Sequence, residues 1–310
     1  MIRRILLLPH INVQNANALS SPFTIGFPAM TAWLGAVHAL QRKLDESGIQ
    51  DLNFDSVAVV SHNINLQIYK GTGDYIFSII GTGNPIVEKK KRKKGEPPDQ
   101  FERPAFIEEA RCHLDVSLLI EYHRINRDDE EVLIEQVTHH LNTSMKIAGG
   151  DVLFFQKPTL HRIEEGNDTE LHRLTRRLMP GYAIIERREL MIDAMKQGQD
   201  AIDALLDYLA IHHSCDKDDD GNPIWISQRK TSGWIVPIAT GFHGISKLGQ
   251  AKNQRDPDTL HRFAESVVTL GEFRMPHRIR SLDEILWHFH TDLENNLYLC
   301  QQNSQCNLNQ

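Results

Sequence analysis

Few cysteines and no long apolar segment occur in this sequence. Its 310 residues include four cysteines, and no two of them have the CxxC spacing of a zinc or redox site. Neither a disulfide framework nor a metal site is therefore expected. No apolar run is long enough to span a bilayer, and MIRRILLLPH is too short and too soon broken by polar residues for a secretory signal. We expect a cytoplasmic protein with reduced thiols and no membrane contact.

An excess of positive charge is also absent. The formal net charge of −7 argues against a protein that coats nucleic acid by bulk attraction. The charges are nevertheless clustered. Six consecutive cations are Lys89, Lys90, Lys91, Arg92, Lys93 and Lys94, and an acidic group is formed by Asp216, Asp218, Asp219 and Asp220. Such a chain can bind phosphate on one surface and protein on another.

An aliphatic run followed by an amide-rich segment opens the chain. Residues 5–8 are four large aliphatics, typical of a buried strand, and Pro9 predicts that the strand weakens there. We predict that residues 12–21 form a polar loop whose side chains donate and accept hydrogen bonds without a charge. Its candidate binding residues are Asn12, Gln14, Asn15, Asn17, Ser20 and Ser21. A helix is predicted to follow, with Pro28 in its first turn and Gly35 allowing close approach to a sheet.

The order of the remaining patterns indicates an α+β fold. Strands are predicted near residues 56–69, 75–80, 110–123 and 151–156, and a helix over 128–147. Strand, helix, strand, hairpin insertion, strand, helix, strand is the ferredoxin-like, RNA-recognition-motif order. We therefore predict a ferredoxin-like domain at 1–157 with a basic, thumb-like insertion at about 71–105. A mixed helix and strand region at 158–310 is predicted to pack on it.

The second half is predicted to be more helical than the first. Helices are expected over 169–179, 191–213, 259–268 and 281–290, and the tail after about residue 299 is expected to be disordered. In the first of these, Arg173, Arg176 and Arg177 have the spacing of one helical face, which suits phosphate binding. The alternative is a salt-bridged surface helix, because Glu170 and Glu186 lie close in sequence.

Five motifs, in order along the chain, resemble one protein family. They are the segment 11–40, MKIAGG at 145–150, RLTRRLMPGYAI at 173–184, GWIVPIATGF at 233–242 and GEFRMPHR at 271–278. Together they are similar to the Cas-five-type subunit of the type I-F CRISPR surveillance complex, the family of the second Csy protein. The resemblance spans most of the chain.

The resemblance implies a non-catalytic subunit that grips the 5′ handle of the guide crRNA. It also implies a heterodimer with the large subunit, contact with the backbone subunits, and access to target DNA through the assembled complex, without a cofactor. In this family the insertion projects beside the guide RNA, which assigns the cationic run to the RNA backbone. Arg111 joins the RNA-binding candidates, although nothing local in the sequence separates binding from packing there.

Two other functions stay open. A metal-free repeat-RNA endoribonuclease would use a histidine to deprotonate a 2′-hydroxyl, as related RNA-processing proteins of the superfamily do. His10 and His38 flank the amide-rich segment and are the candidates, but no partner acid is evident near them in the sequence. A protein-only adaptor would leave the basic run without a role.

Overall fold

The computed structural model describes residues 2–81, 83, 86–88, 101–106, 109–125, 129–164, 166–218 and 220–302. The first half contains β1 (Ile2–Asn17), β2 (Leu19–Ser21), β3 (Thr24–Ile25), α1 (Met30–Glu46), β4 (Asn53–Leu66), β5 (Ile68–Tyr69), β6 (Ser78–Ile79), β7 (Val87–Glu88), β8 (Phe101–Glu102), β9 (Arg111–His123), α2 (Glu130–Thr143), β10 (Lys146–Ile147), β11 (Gly150–Phe154) and β12 (Thr159–Glu164). The second half contains α3 (Asp168–Arg177), β13 (Tyr182–Glu186), α4 (Arg188–Lys196), α5 (Ala201–Leu209), β14 (His212–Lys217), β15 (Pro223–Gln228), β16 (Trp234–Gly244), β17 (Ala264–Arg274), two 3-10 turns (Pro276–Arg278 and Leu282–Glu284), β18 (Trp287–Asp292) and β19 (Leu297–Gln302). The protein is of the α+β class.

Eleven of the strands in these ranges form one antiparallel sheet. Its order is β10-β11-β1-β9-β4-β13-β17-β16-β19-β18, and β12 also pairs with β1. Trp287 of β18 pairs back to Val57 of β4, so the strands from β4 to β18 close on themselves. β13 lies between β4 and β17, which joins the two halves of the chain in one sheet.

The centre of the sheet is buried on both faces. Successive residues of a strand point to opposite faces, so Leu6 and Leu8 pack with α1 and α2, whereas Ile5 and Leu7 pack under α3. Burial on both faces explains why β1 begins with an uninterrupted aliphatic run. None of the helices in the described ranges is long and apolar enough to cross a membrane.

The predicted polar loop at residues 12–21 is wrong, because β1 continues to Asn17. The pairing of β1 with β9 shifts register after Leu8 and again after Val13, and His10 and Asn15 have φ values of 47° and 56° there. These are β-bulges, which bend a strand without ending it. Pro9 does not end the strand either, and its carbonyl accepts a hydrogen bond from the backbone of Gln156 at 3.0 Å.

Two details of the predicted helices in the first half are wrong. α1 begins at Met30, after Pro28, and Gly35 lies on its exposed side with no atom within 4 Å of an added Cβ. Close approach to a sheet therefore does not explain this glycine. α2 ends at Thr143, before the predicted end at residue 147.

The predictions for the second half fail more often. The predicted helix over 191–213 is α4 and α5, interrupted at Gly198 with φ of 95°. The predicted helices over 259–268 and 281–290 are not α-helices: the first runs into β17, and the second contains the 3-10 turn Leu282–Glu284 and the start of β18. β17 contains the β-branched run Val267–Thr269, which favours a strand. The predicted disorder after residue 299 starts too early, because β19 extends to Gln302; residues 303–310 lie outside the described ranges.

Candidate nucleic-acid interface

Beyond the end of α3, one face of the central strands is polar and uncovered. β9 shows the change most clearly: residues 117–122 are all buried, whereas half-buried and buried residues alternate over 111–116. The buried residues of the alternation continue the core under α1 and α2. The others form a surface that we call the open face. It consists of Asn12, Gln14 and Asn17 of β1 with Asn15 at the bulge between them, Asn63 and Asn65 of β4, and Arg111, His113 and Asp115 of β9.

Strand register brings these polar side chains together. Asp115 pairs with Asn12 on one side and with Asn63 on the other, and directly paired residues of antiparallel strands point to the same face. His113 pairs with Asn65 in the same way. The amides of β1 were predicted as binding candidates from the sequence, whereas those of β4 were not. The alternation of polar residues with Ile64 and Leu66 is the signal that could have revealed them.

Asn15 stands at the second bulge of β1. Its backbone N–H donates to Nδ1 of His113 at 3.1 Å, and its carbonyl accepts from Arg111 at 3.4 Å. An added Cβ on Gly150 of β11 would lie 2.6 Å from the carbonyl of Gln14, so β11 presses against this bulge. Within the described residues, the side chains of Gln14 and Asn15 make no hydrogen bond. Their amide groups are free to bind a ligand.

The other predicted amide and hydroxyl residues are already engaged. Ser20 and Ser21 lie in the β2–β3 hairpin, and their hydroxyls are 2.9 and 2.7 Å from that of Thr24. Ser21 is buried, so this pair fixes a turn and does not face a ligand. The amide of Asn17 bonds the backbone of Leu19 in both directions. Arg111 also forms an ion pair with Glu109, which reduces its value as a phosphate ligand.

The α3 arginines are exposed on the surface of their helix. Arg173, Arg176 and Arg177 form no ion pair with any described residue. The two glutamates considered as partners from the sequence have other contacts. Glu170 accepts a hydrogen bond from the backbone N–H of Glu164, and Glu186 forms an ion pair with Arg188. The buried side of α3 is formed by Leu171, Leu174 and Thr175. No ion pair within the described ranges supports the salt-bridged alternative for these side chains.

A stacked histidine pair lies where α3 ends and the open face begins. His10, at the first bulge, stacks on His62 of β4 with ring centroids 4.0 Å apart. Nδ1 of His10 is 3.1 and 3.2 Å from the carboxylate oxygens of Asp115. Oγ of Ser117 accepts from the backbone N–H of His10 at 3.0 Å and is 2.6 Å from Nε2 of His62. Nδ1 of His62 is 2.6 Å from the carbonyl oxygen of Pro180, just beyond α3.

The second ring of this pair is held neutral. Burial lowers the pKa of His62, and the neighbouring His10 lowers it further, against the opposing influence of the Pro180 carbonyl and Asp115. Both ring nitrogens of His62 have hydrogen-bond partners, so this ring is fixed in position and its face is available to stack on His10. The acid that sequence reasoning could not find for His10 is Asp115, 105 residues away. His38 lies on α1, which packs on the other face of the sheet.

The cationic run Lys89–Lys94 lies outside the described residues. The segment before it carries exposed aromatic side chains, with Tyr69, Tyr75 and Phe77 all more than 60% exposed. The ammonium group of Lys70 lies 5.1 Å from the ring centroid of Phe77. Exposed aromatic rings beside cations are suited to stacking on unpaired bases.

One group of possible metal ligands occurs within the described ranges. Oxygen or nitrogen atoms of Asp55, Glu121 and His123 come within 4.8 Å of one another. However, both oxygens of Glu121 accept from the guanidinium of Arg3 at 2.7 Å, and one also accepts from Ser56. Burial would raise the pKa of Glu121, but Arg3 and Ser56 outweigh it and hold the pKa below its usual range. This carboxylate is committed to an ion pair.

Comparison with known proteins gives a consistent result across the chain. The family model described as CRISPR-associated protein (Cas_Csy2) matches residues 6–300. The CRISPR-associated protein Csy2 of Pseudomonas aeruginosa (strain UCBPP-PA14) is 34% identical over 321 residues, covering 95% of this chain and 94% of that relative. The match includes β1, α3 and the whole open face. The resemblance identified from five motifs is confirmed, and the chain belongs to the CRISPR-associated Csy2 family, the second Csy protein of type I-F systems.

Proposed function

We propose that this chain is a non-catalytic subunit of the type I-F CRISPR RNA-guided surveillance complex that binds the 5′ handle of the guide crRNA. The observation that carries this proposal is the open face, a neutral, amide-rich sheet surface next to three exposed arginines that form no ion pair with a described residue. Family membership supports the assignment to the complex. The face supports the assignment to RNA.

The first half is proposed to be a ferredoxin-like, RNA-recognition-motif domain. In its support, the four main strands are ordered β11-β1-β9-β4, with α1 after β1 and α2 after β9. Numbered by their position in the chain, β1, β4, β9 and β11 are the first to fourth main strands, so the spatial order is 4-1-3-2. This is the strand order of the βαββαβ fold. Domains of this kind bind single-stranded RNA on the sheet surface. The open face occupies that surface.

The chemistry of the face suits a fixed single strand. The free amides of Gln14 and Asn15 can bond base edges, which carry sequence information. Arg173, Arg176 and Arg177 can hold phosphates by forked hydrogen bonds. The cationic run Lys89–Lys94 would add salt-dependent affinity through counterion release. Base reading and backbone binding thus fall to different residues.

Protein partners are part of the same proposal. We propose a heterodimer with the large subunit, contact with the backbone subunits, and access to target DNA only through the assembled complex. A set of exposed apolar side chains on α4 and α5 supports a protein contact: Ile192, Met195, Ile202 and Leu206 are between 44% and 67% exposed.

A metal-free repeat-RNA endoribonuclease is the second candidate. Its support is the contact between Asp115 and His10, because a carboxylate that orients a histidine is typical of a general base. Such a reaction also needs an acid for the leaving group. The adjacent ring, His62, is neutral with both nitrogens bonded, which favours the non-catalytic proposal. Incubation with repeat RNA in EDTA separates the candidates, since cleavage lost on His10→Ala would establish the second.

The proposal is tested by RNA binding across a salt series. The chain, co-expressed with its large-subunit neighbour, is titrated with guide RNA carrying the native or a scrambled handle. We expect preference for the native handle, weakened about fivefold by Asn15→Gly, which removes one amide but tolerates the positive φ. Charge reversal of Lys89–Lys94 should weaken the binding of both RNAs and make their affinity less dependent on salt concentration.

A matched control is Ser20→Ala, because this hydroxyl bonds within the β2–β3 hairpin and away from the open face. It should leave handle preference unchanged. Equal affinity for the two handles would contradict base reading by the open face. No binding of either RNA would favour the protein-only adaptor.

A further inference from the structure

The ring of His10 has one bonded nitrogen and one free nitrogen. An ionised carboxylate only accepts hydrogen bonds, so the proton of the neutral ring lies on Nδ1, facing Asp115. Nε2 is then a hydrogen-bond acceptor. It has no partner among the residues that the structure describes, and the side chain is 27% exposed. A ligand on the open face would meet an acceptor at this position.

His10 is also held firmly in place. Its backbone has the positive φ of the first bulge, and its N–H is bonded to Ser117. Its ring rests on His62, which is fixed by Ser117 and Pro180. A ring that is held by its backbone and by a stacked neighbour loses little conformational freedom on binding, so a single hydrogen bond to it can be selective.

We propose that His10 determines specificity for RNA by accepting a hydrogen bond from a ribose 2′-hydroxyl of the bound strand. This inference rests on the proposed function. An acceptor nitrogen needs a donor, and the carboxylate of Asp115 beside it disfavours the approach of phosphate oxygens. The 2′-hydroxyl is the donor that RNA has and DNA lacks. His10 would thus select the type of sugar, and the amides would select bases.

The test combines single 2′-deoxy substitutions with a ring replacement. The chain with its large-subunit neighbour is titrated with native-handle guide RNAs, each carrying one 2′-deoxy nucleotide in the handle. For the unmodified protein we expect one position where the deoxy substitution weakens binding about fivefold, the usual effect of one hydrogen bond. His10→Phe keeps a ring to stack on His62 but has no nitrogen. It should bind all-ribose RNA about fivefold more weakly and show no further loss at that position.

The controls separate this inference from the function on which it rests. His38→Ala, on the opposite side of the sheet, should behave like the unmodified protein, and His10→Ala should reproduce His10→Phe. If no deoxy position affects the unmodified protein, or if the loss persists in His10→Phe, another group reads the sugar and the inference is wrong. If His10→Phe instead changes base preference, the donor is a base amino group and the inference is equally wrong. Failure of the unmodified protein to prefer its native handle would overturn the proposed function itself.

Discussion

The covered and open halves of β1, β4 and β9 are made from the same three strands and differ in what lies above them. Under α3, residues 5–8 of β1 are aliphatic and buried on both faces. Past α3, amides alternate with the buried residues Val13 and Ala16. Register shifts separate the halves, after Leu8 in β1 and after Ser61 in β4. Bulges of this kind often lie next to functional sites, where they redirect side chains.

This difference indicates that stability and binding depend on different halves of one sheet. The covered half buries apolar surface on both sides and therefore contributes most of the stabilisation. The open half buries only one side, so its polar side chains can be changed at little cost to folding. Substitutions in the covered half should mainly lower stability, and substitutions in the open half should mainly lower RNA affinity.

The largest effect is expected in the covered half. Leu119→Ala removes a fully buried side chain under α3 and should lower the unfolding free energy by about 3 kcal/mol, measured by urea denaturation. The matched control is Ile64→Ala, because Ile64 is partly exposed in the open half of the neighbouring strand. It should cost less than about 1 kcal/mol. Equal losses of unfolding free energy in the two variants would contradict the distinction between the halves.

Gly150→Ala should damage the open half specifically. The new Cβ would lie within 3 Å of the backbone of Gln14 and Ala16 and of the side chain of Val13, so the Asn15 bulge must shift. We expect a loss of about 2 kcal/mol in unfolding free energy from overpacking, together with weaker handle binding. Denaturation and RNA titration on the same preparation measure both. Unchanged affinity would show that the bulge geometry does not matter for RNA.

The ion pair of the covered half predicts acid sensitivity. The pKa of Glu121 is held below its usual value, so its contribution to stability is complete above about pH 4.3, the ordinary glutamate pKa, and is lost as the pH falls through the lower folded-state pKa. Glu121→Gln should therefore lose less stability between neutral pH and pH 3 than the unmodified protein. Urea denaturation at several pH values measures this. Glu135→Gln, an exposed substitution on α2, is the control and should keep the original pH dependence.

The smallest effect is expected outside both halves. Gly35→Ala lies on the exposed side of α1 with free space around the new Cβ, and it should raise the unfolding free energy by about 1 kcal/mol through helix propensity. Handle binding should not change. A loss of assembly with the large subunit would instead show that this side of α1 approaches a partner.

Sequence reasoning succeeded where local pattern and structure agree. The strand at the aliphatic run of β1, the strand β9 and the helix that carries the α3 arginines were predicted correctly, because each depends on neighbouring residues. The amide segment was misread because its polar residues and Pro9 suggested a loop, although Val13 and Ala16 keep the inward positions of a strand.

Contacts between distant residues were beyond that reasoning. Asp115 and His62 join His10 only because β9 lies between β1 and β4, an arrangement that no local spacing records. Likewise, the helix predicted over 191–213 is α4 and α5, and no local pattern shows what covers their apolar side chains. The charge run at Lys89–Lys94 lies outside the described residues, so its predicted contact with RNA stays a prediction.

The most direct test of the central claim is hydroxyl-radical footprinting with and without native-handle guide RNA, on the chain paired with its large-subunit neighbour. Phe154 is exposed and pairs with Asn12 at the edge of the open face, and Met179 is exposed at the end of α3. Phe289 and Tyr298, on β18 and β19, serve as internal references. We expect native-handle RNA to protect Phe154 and Met179 from oxidation while the references stay unchanged. Protection confined to the references, or equal protection by scrambled-handle RNA, would contradict it.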